Sequence, residues 1–501
     1  MPSLLLSLLL LQVPIICAWL LVRFIIDLTG KNGTIPTIRR WPALFPEFLD
    51  RLSYNDNAAQ LVEEGYRKYK DRPFRLLKMD MDLVVIPLKY ATELRAITSD
   101  KLDPLTASFD DNAGELTGIL LGSELHSDAI HRRLTPGLRI PSTKYCRILT
   151  VCAFPERVGY LTDVIGNWTP VIPYELVLRL STRAAARVFV GETICRDEVF
   201  LETCSSFSRN TFDTIATFRN LGKTIGFMLG ILTPSVRKAR EQGAYVQKLL
   251  GSEVERRRAC PDEKHDDFLQ WCIDLARTEQ EAKPEALATR TIGILSMAVV
   301  HTTAMATTHM LFDLLADSKL RETLKKEQED VLPSGWDGID QNSMLKMRLL
   351  DSLMRESQRI NPVGEFTFRR VVRKPITLSD GYQLRRGQQI AISARRINMD
   401  GATLEDAQTF CPSRWAQETQ GASFSHSSSS NLHFGLGRYA CPGRFFASYM
   451  IKAITSRILL EYDFKLESGR EGYRPPNSIQ GDKILPNRDA VVLFRRREVS
   501  I

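Results

Sequence analysis

The sequence predicts a mainly α fold with a smaller β region, an α+β chain carried behind one N-terminal transmembrane helix. Three observations support this. An apolar, helix-forming pattern runs from Pro284 to about Ala316. A second helical stretch, SMLKMRLLDSLMRESQRI, stops at Asn361-Pro362, and strand and turn material follows at once. At the start of the chain, MPSLLLSLLLLQVPIICAWLLVRFIIDL carries no charge between Ser3 and Val22.

That first run has the length, about 20 residues, that spans a bilayer core. A cleaved signal peptide would have a shorter apolar region and small residues at the cut; here Trp19, Leu20, Leu21 and Arg23 stand there. Arg23, Lys31, Arg39 and Arg40 follow, so the positive-inside rule puts the C-terminal side in the cytosol. The expected organisation is an uncleaved anchor over 1–28, a Pro/Gly linker over 29–45 and one folded domain over 46–501. Nine scattered cysteines, an odd number without CxxC spacing, fit a reducing compartment. The sequons at Asn32 and Asn167 are accordingly expected to stay unglycosylated.

The body has a globular composition, 44% hydrophobic and 25% charged, enough apolar material for a large core. A net charge of +8 admits nucleic acid, an anionic membrane or an acidic protein as partner. Nucleic acid is set aside, because no interleaved basic–aromatic stretch or zinc-finger spacing occurs. From about 46 to 280 the chain reads mostly helical, interrupted by FRLLKMDMDLVVIPL, where Val84, Val85 and Ile86 mark a strand. Pro284 suits a first helical turn, and the long apolar pattern behind it implies a helix through the middle of a large protein. A second membrane span is the rival; His301, His309 and six threonines weigh against it. FTFRRVV and PITLSDGYQLRRGQQIAISA supply the β region, with turns at Asp380-Gly381 and Arg386-Gly387. QETQGASFSHSSSS, residues 417–430, reads as a mobile low-complexity loop. A last helix is expected from about Pro442 to Tyr462.

The chemistry gathers around FGLGRYACPGRFFA, Phe434 to Ala447. Cys441 precedes Pro442-Gly443, which opens a helix, so its sulfur would face backbone N–H groups and the positive end of the helix dipole. Gly435, Gly437 and Gly443 let backbone approach a flat body, and Phe434 can pack beside a thiolate. A buried structural cysteine satisfies the same loop. Glu356 and Arg359 share a helix face and can pair, and Arg414, in Phe410-Cys-Pro-Ser-Arg-Trp415, could close a Glu–Arg–Arg network. Thr302, in AVVHTT, can bond the carbonyl four residues back and open a kink in the apolar helix.

In this order, A-x-x-H-T-T, E-x-x-R, F-x-P-x-R-W and F-G-x-G-x-x-x-C-P-G resemble cytochrome P-450, the haem-thiolate monooxygenases. VHTTAMATTHMLFDL, RESQRINP, LSDG and YACPGRFFAS are similar to fungal microsomal members that oxidise terpenoids, the ent-kaurene-oxidase type. The resemblance implies the cytochrome P-450 fold over 46–501, haem b held by Cys441, and Thr302 assisting proton delivery to bound oxygen. It implies a structural triad of Glu356, Arg359 and Arg414, and Phe434, Gly437 and Gly443 against the haem. Arg133 or Arg132, in HRRLTP, would meet a haem propionate, although the tryptophan usual upstream is missing. Two positions depart from the family. Tyr439 stands where an arginine commonly holds a propionate, so His433 or Arg438 would take over. His301 stands where an acid commonly precedes the threonine. It would relay protons, leave the relay to water, or simply bond a backbone carbonyl.

The substrate pocket is expected above the haem, lined by Phe109, Leu116, Ala298, Val299, Thr303, Val363 and Phe366, and suited to a bulky hydrophobic substrate. No GxGxxG opens a strand–turn–helix unit, so electrons must come from a partner. The resemblance implies NADPH–cytochrome P-450 reductase, with cytochrome b5 as a second donor. It also implies a monomeric, single-pass endoplasmic reticulum protein. The expected activity is oxygen insertion into a lipophilic biosynthetic intermediate, a terpenoid, in fungal secondary metabolism. The rivals are a haem-thiolate isomerase or dehydratase needing no reductase, and a non-catalytic membrane haem sensor or carrier.

Overall fold

The computed structural model describes residues 35–42, 44–117, 122–139, 167–222, 226, 228, 232–335, 339–418, 423–467 and 472–497. The expected anchor and most of the linker lie outside them. The helices that position the site are α1 (Glu47–Lys68), α2 (Pro173–Ile194), α3 (Glu198–Leu221), α4 (Pro284–Ala316), α5 (Arg348–Ile360) and α6 (Arg444–Glu461). Their ends follow from sequence. Pro173 and Pro284 occupy first turns, where a missing N–H costs nothing. Asp197 caps α3 by accepting from the N–H groups of Val199 and Phe200.

Helix α4 is long and apolar enough to cross a membrane, yet 78% of its most apolar stretch is buried inside the protein. It packs against α2, α3, α5 and α6. It is therefore the core helix of the fold rather than a second span. Its middle, Ile294–Val300, is wound as a π-helix, and regular α-helix resumes at His301. The Thr302 hydroxyl donates to the Ala298 carbonyl at 2.6 Å across the end of this segment. Helices carry such π turns mostly at functional sites.

The main sheet runs β1-β2-β3-β6-β5-β4, from β1 (Thr37–Ile38), β2 (Phe74–Leu77), β3 (Asp82–Val85), β4 (Leu102–Asp103), β5 (Thr367–Val372) and β6 (Gln389–Ile392). Strand β3 lies parallel to β6 with Val84 opposite Ile390, and β6 is antiparallel to β5. The β5–β6 register slips between Thr367 and Arg370, and Phe368 there has φ +55. Such a bulge re-aims side chains locally. Phe368 and Arg370 are buried there, and Thr367, Phe368, Arg369 and Arg370 all line one cavity. A hairpin of β7 (Ser478–Gln480) and β8 (Lys483–Leu485) turns through Gly481-Asp482. Gly481 has φ +59, as the first turn residue of a tight hairpin requires. The Glu365 N–H donates to the Asp482 carbonyl at 2.9 Å, tying the hairpin to the chain before β5.

Two sequence expectations are corrected. From residue 423 the low-complexity stretch is packed, because Phe424 within it is buried and its N–H donates to Asp351 at 3.0 Å. The last helix begins at Arg444, two residues later than expected, since Pro442-Gly443 form the turn that presents Cys441.

Candidate active site

Cys441 sits at the end of a loop closed by backbone. Its own N–H donates to the Phe434 carbonyl at 2.7 Å, Gly435 N–H to Leu432 at 2.8 Å and Ala440 N–H to Gly437 at 3.0 Å. Gly435 and Gly437 adopt φ +78 and +75, the left-handed region that glycine alone enters freely. Gly443 has an ordinary φ of −83, and a Cβ there would meet no protein atom within 4 Å. Burial pushes the Cys441 thiol up, while the N–H groups of Gly443 and Arg444 and the Arg444 guanidinium pull it back. Phe434 packs edge-on against Phe424, with ring centroids 5.1 Å apart, and tilted against His433 at 4.4 Å. The His433 ring also donates from Nε2 to the Phe424 carbonyl at 3.1 Å, and burial lowers it to about 3, so it is neutral.

Below this loop the acidic–basic network closes. Glu356 is fully buried and receives Arg359 in two parallel bonds of 2.8 Å. Cys411 N–H donates to Glu356 at 2.7 Å, and Arg414 Nε stands 3.5 Å from the same carboxylate. The two arginines then donate to the carbonyls of Asn398, Ala407, Thr409, Glu405 and Asp406. One helix end therefore holds an irregular strap of chain that has no ladder of its own.

A cavity of about 1350 Å³ opens over Cys441. That exceeds the 300–1,000 Å³ usual for one small ligand. Ala298, Thr302 and Thr303 of α4, Val363, Thr367, Phe434, Ala440 and Ile451 share its wall with Cys441. In the buried middle of α4 Ala298 is exposed, because it faces this space. Of the other expected pocket residues, Val299 and Phe366 stand off the wall; Phe366 packs with the core around Tyr54 and Leu61 instead. Phe109 packs on Gly114, and the Leu116 side chain lies outside the described residues.

The expected propionate residues divide. Arg132 and Arg133 are exposed and off the cavity wall, Arg132 standing 3.8 Å from Asp128. Arg438 is solvent-facing and pairs with Glu124 at 3.0 Å. Two residues that sequence reasoning passed over take the inward position. Arg370, behind the bulge, is buried beside the Tyr439 ring at 5.2 Å, and its guanidinium donates to the Arg369 carbonyl at 2.7 Å. Burial lowers it to about 10, with no carboxylate within salt-bridge reach among the described residues. His126 lines the cavity opposite, four residues before Ile130, and burial lowers it to about 4. The second arginine of FTFRRVV was a usable signal, since an arginine inside a buried strand needs an anion.

His301 is buried between Tyr174 and Arg488. Its Nδ1 lies 2.7 Å from the Tyr174 hydroxyl, and Arg488 donates to Nε2 at 3.2 Å. Arginine only donates, so Nε2 accepts and Nδ1 carries the proton. Burial, then Arg488, lower the ring to about 3. The imidazole bonds side chains, not a backbone carbonyl.

These residues fit a haem. A lone cysteine sulfur at a helix start, two glycines in left-handed backbone, a buried guanidinium with no carboxylate partner among the described residues and a cavity large enough for ring and substrate are brought together. The family description "Cytochrome P450" matches residues 74–489. The chain is a cytochrome P-450. It is 62% identical to "Cytochrome P450 monooxygenase idtP" of Claviceps paspali, over 96% of this chain and 97% of that one. It is 62% identical to "Cytochrome P450 monooxygenase ltmP" of Epichloe festucae var. lolii, over the same shares. With "Cytochrome P450 monooxygenase AtmP" of Aspergillus flavus it shares 42% identity over 93% and 90%. Its fold matches a solved structure described as "Retinoic acid bound cyanobacterial CYP120A1", with TM-score 0.68 at 18% identity, over 93% of this chain and all of that one. The P-450 is thus a haem monooxygenase, an oxidoreductase of a family that uses a cysteine-ligated iron, a redox partner and hydrophobic substrates.

Proposed function

We propose that this P-450 inserts oxygen into a polycyclic terpenoid of fungal secondary metabolism, with haem b on Cys441 and electrons from NADPH–cytochrome P-450 reductase. Cytochrome b5 would serve as a second donor. The anchor over 1–28 would hold a monomeric catalytic domain, 46–501, on the cytosolic face of the endoplasmic reticulum. The reading is carried by one observation: the Cys441 sulfur and Thr302 line a single cavity of about 1350 Å³, in which apolar side chains such as Phe212, Ala298, Val363 and Ile451 share the wall with them.

Bound there, haem supplies oxygen activation, favoured by the electron push of a thiolate. The protein does the rest. The Gly443 and Arg444 N–H groups and the Arg444 guanidinium favour thiolate at Cys441, and Phe434 keeps water from it. Arg370, with His126 and Tyr439 nearby on the wall, would hold the propionates. The Thr302 hydroxyl proton is committed to the Ala298 carbonyl, so its oxygen is left to accept from a water in the cavity. That water would deliver protons. His301 has both ring nitrogens engaged and no charge to pass on at neutral pH, so we assign it a positioning role and leave the relay to water.

The test is turnover of candidate diterpenoids with reductase, NADPH and labelled oxygen. A product gaining one labelled atom is expected. An unlabelled product formed without NADPH would establish the isomerase or dehydratase reading. Haem binding with no substrate-dependent NADPH use would establish the sensor or carrier.

A further inference from the structure

Six lysines and arginines line the cavity: Lys78, Arg219, Arg369, Arg370, Lys483 and Arg488. Arg370 and Arg488 have the partners given above. At the far end Lys78 Nζ stands 3.0 Å from Asp482, both side chains nearly fully buried. Arg369 Nε lies 2.8 Å from Asp111. Arg219 is shared among Asp111 at 3.6 Å, Asp80 at 4.0 Å and Asp482 at 4.0 Å. Three carboxylates thus face three cations, and Lys483 is a fourth. Among the described residues the Lys483 ammonium has no hydrogen bond, ion pair or ring contact, and the surplus charge falls on it.

The lysine is held in place. Its backbone bridges Gly364, and a Cβ on Gly364 would lie 3.4 Å from Nζ, so the amine packs over that glycine beside cavity-lining Val363. Burial lowers it to about 8, with Asp482 opposing and Arg219 and Arg369 adding to the fall. An ammonium has three donors to satisfy, and leaving them unpaired away from bulk water is costly. The carboxylates of Asp482 and Asp111 act on it through space, but among the described residues neither stands within salt-bridge reach.

We infer that Lys483 is the polar anchor of the substrate site. Its ammonium donates to an oxygen, as hydroxyl, carbonyl or carboxylate, already present on the polycyclic substrate. The enzyme then acts after an earlier oxygenation, because a bare hydrocarbon would leave this amine unpaired. The inference rests on the monooxygenase reading above.

The experiment is a spin-state titration of the purified holoenzyme with three compounds of one skeleton: dehydroabietane, dehydroabietinol and dehydroabietic acid. Wild type is expected to bind the alcohol, the acid or both about tenfold or more tighter than the hydrocarbon, the range of a hydrogen bond to a charged group. Lys483→Met should bind all three within about twofold of one another, with hydrocarbon affinity unchanged. Preference for the alcohol would mark a neutral oxygen, and preference for the acid a carboxylate. An equal preference surviving in Lys483→Met, or no oxygen preference in wild type, overturns the inference. The reduced carbon monoxide band of the same samples reports separately on the haem reading.

Discussion

The two ends of the cavity are built differently. The cysteine wall comes chiefly from one continuous stretch, Phe434–Ala447, and one segment of α4, with Val363, Thr367 and Ile451 beside them, and backbone hydrogen bonds set the shape of the cysteine loop. The charged end is assembled from Lys78 and Asp80 of one turn with Asp111, Arg219, Arg369 and Asp482, contributed by five separate parts of the chain. Ion pairs between side chains set their contacts. The chemistry is therefore fixed by local backbone geometry, which substitution alters little. Substrate choice rests on long-range pairing, in which any one partner can change.

Breaking the first end should have the largest effect. Cys441→Ser is expected to abolish the thiolate signature in the reduced carbon monoxide spectrum altogether, while the circular dichroism of the fold persists. Next, Glu356→Gln leaves Arg359 and Arg414 without a charge partner in a buried place. A loss of about 3–5 kcal/mol is expected, read as chemical denaturation at lower urea and a poor haem-loaded yield. At the other end, Asp482→Asn removes the acid that Lys78, Arg219 and Arg369 share. It should cost about 3 kcal/mol in unfolding free energy yet leave the carbon monoxide band intact. If that band were lost as well, the two ends would not be independent.

Thr302→Ala is milder: the protein folds normally, and product formed per NADPH falls several-fold as peroxide rises. A ratio equal to wild type would move proton delivery elsewhere. The smallest effect is in pH. His126, His301, His309 and His433 all have folded values below the usual 6.5, burial being the first cause in each. The unfolded chain therefore binds more protons below pH 6.5. Stability is full above that pH and is lost toward pH 4, by up to about 1.4 kcal/mol per pH unit for each ring. Melting temperature against pH for His309→Asn should show a shallower acid slope than wild type.

The same contrast explains what the sequence disclosed. Cys441, Phe434, Thr302 and the partners of Glu356 were legible because their positions depend on spacing within a helix or loop. The helical middle at Pro284–Ala316 was legible from composition. Arg132 and Arg133 misled, because a basic pair on a helix does not reveal which face is inward; the inward side chain there is His126. Arg370 was hidden by a bulge, and a one-residue slip in register exchanges the two faces of a strand. The Tyr174–His301–Arg488 contact joins residues 127 and 187 positions apart, beyond any local pattern.

The seven-residue π segment in α4 has an evolutionary consequence. Successive helical residues are offset by about 100°, so removing one residue between 294 and 300 would let ordinary winding close the gap. The wider winding absorbs one residue locally, so the turns on either side keep nearly their facing and only the wall between Ile294 and Val300 is redrawn. A single codon lost there would reshape that stretch, Ala298 included, while Thr302 stays in place, and relatives of altered selectivity are worth searching for that length difference.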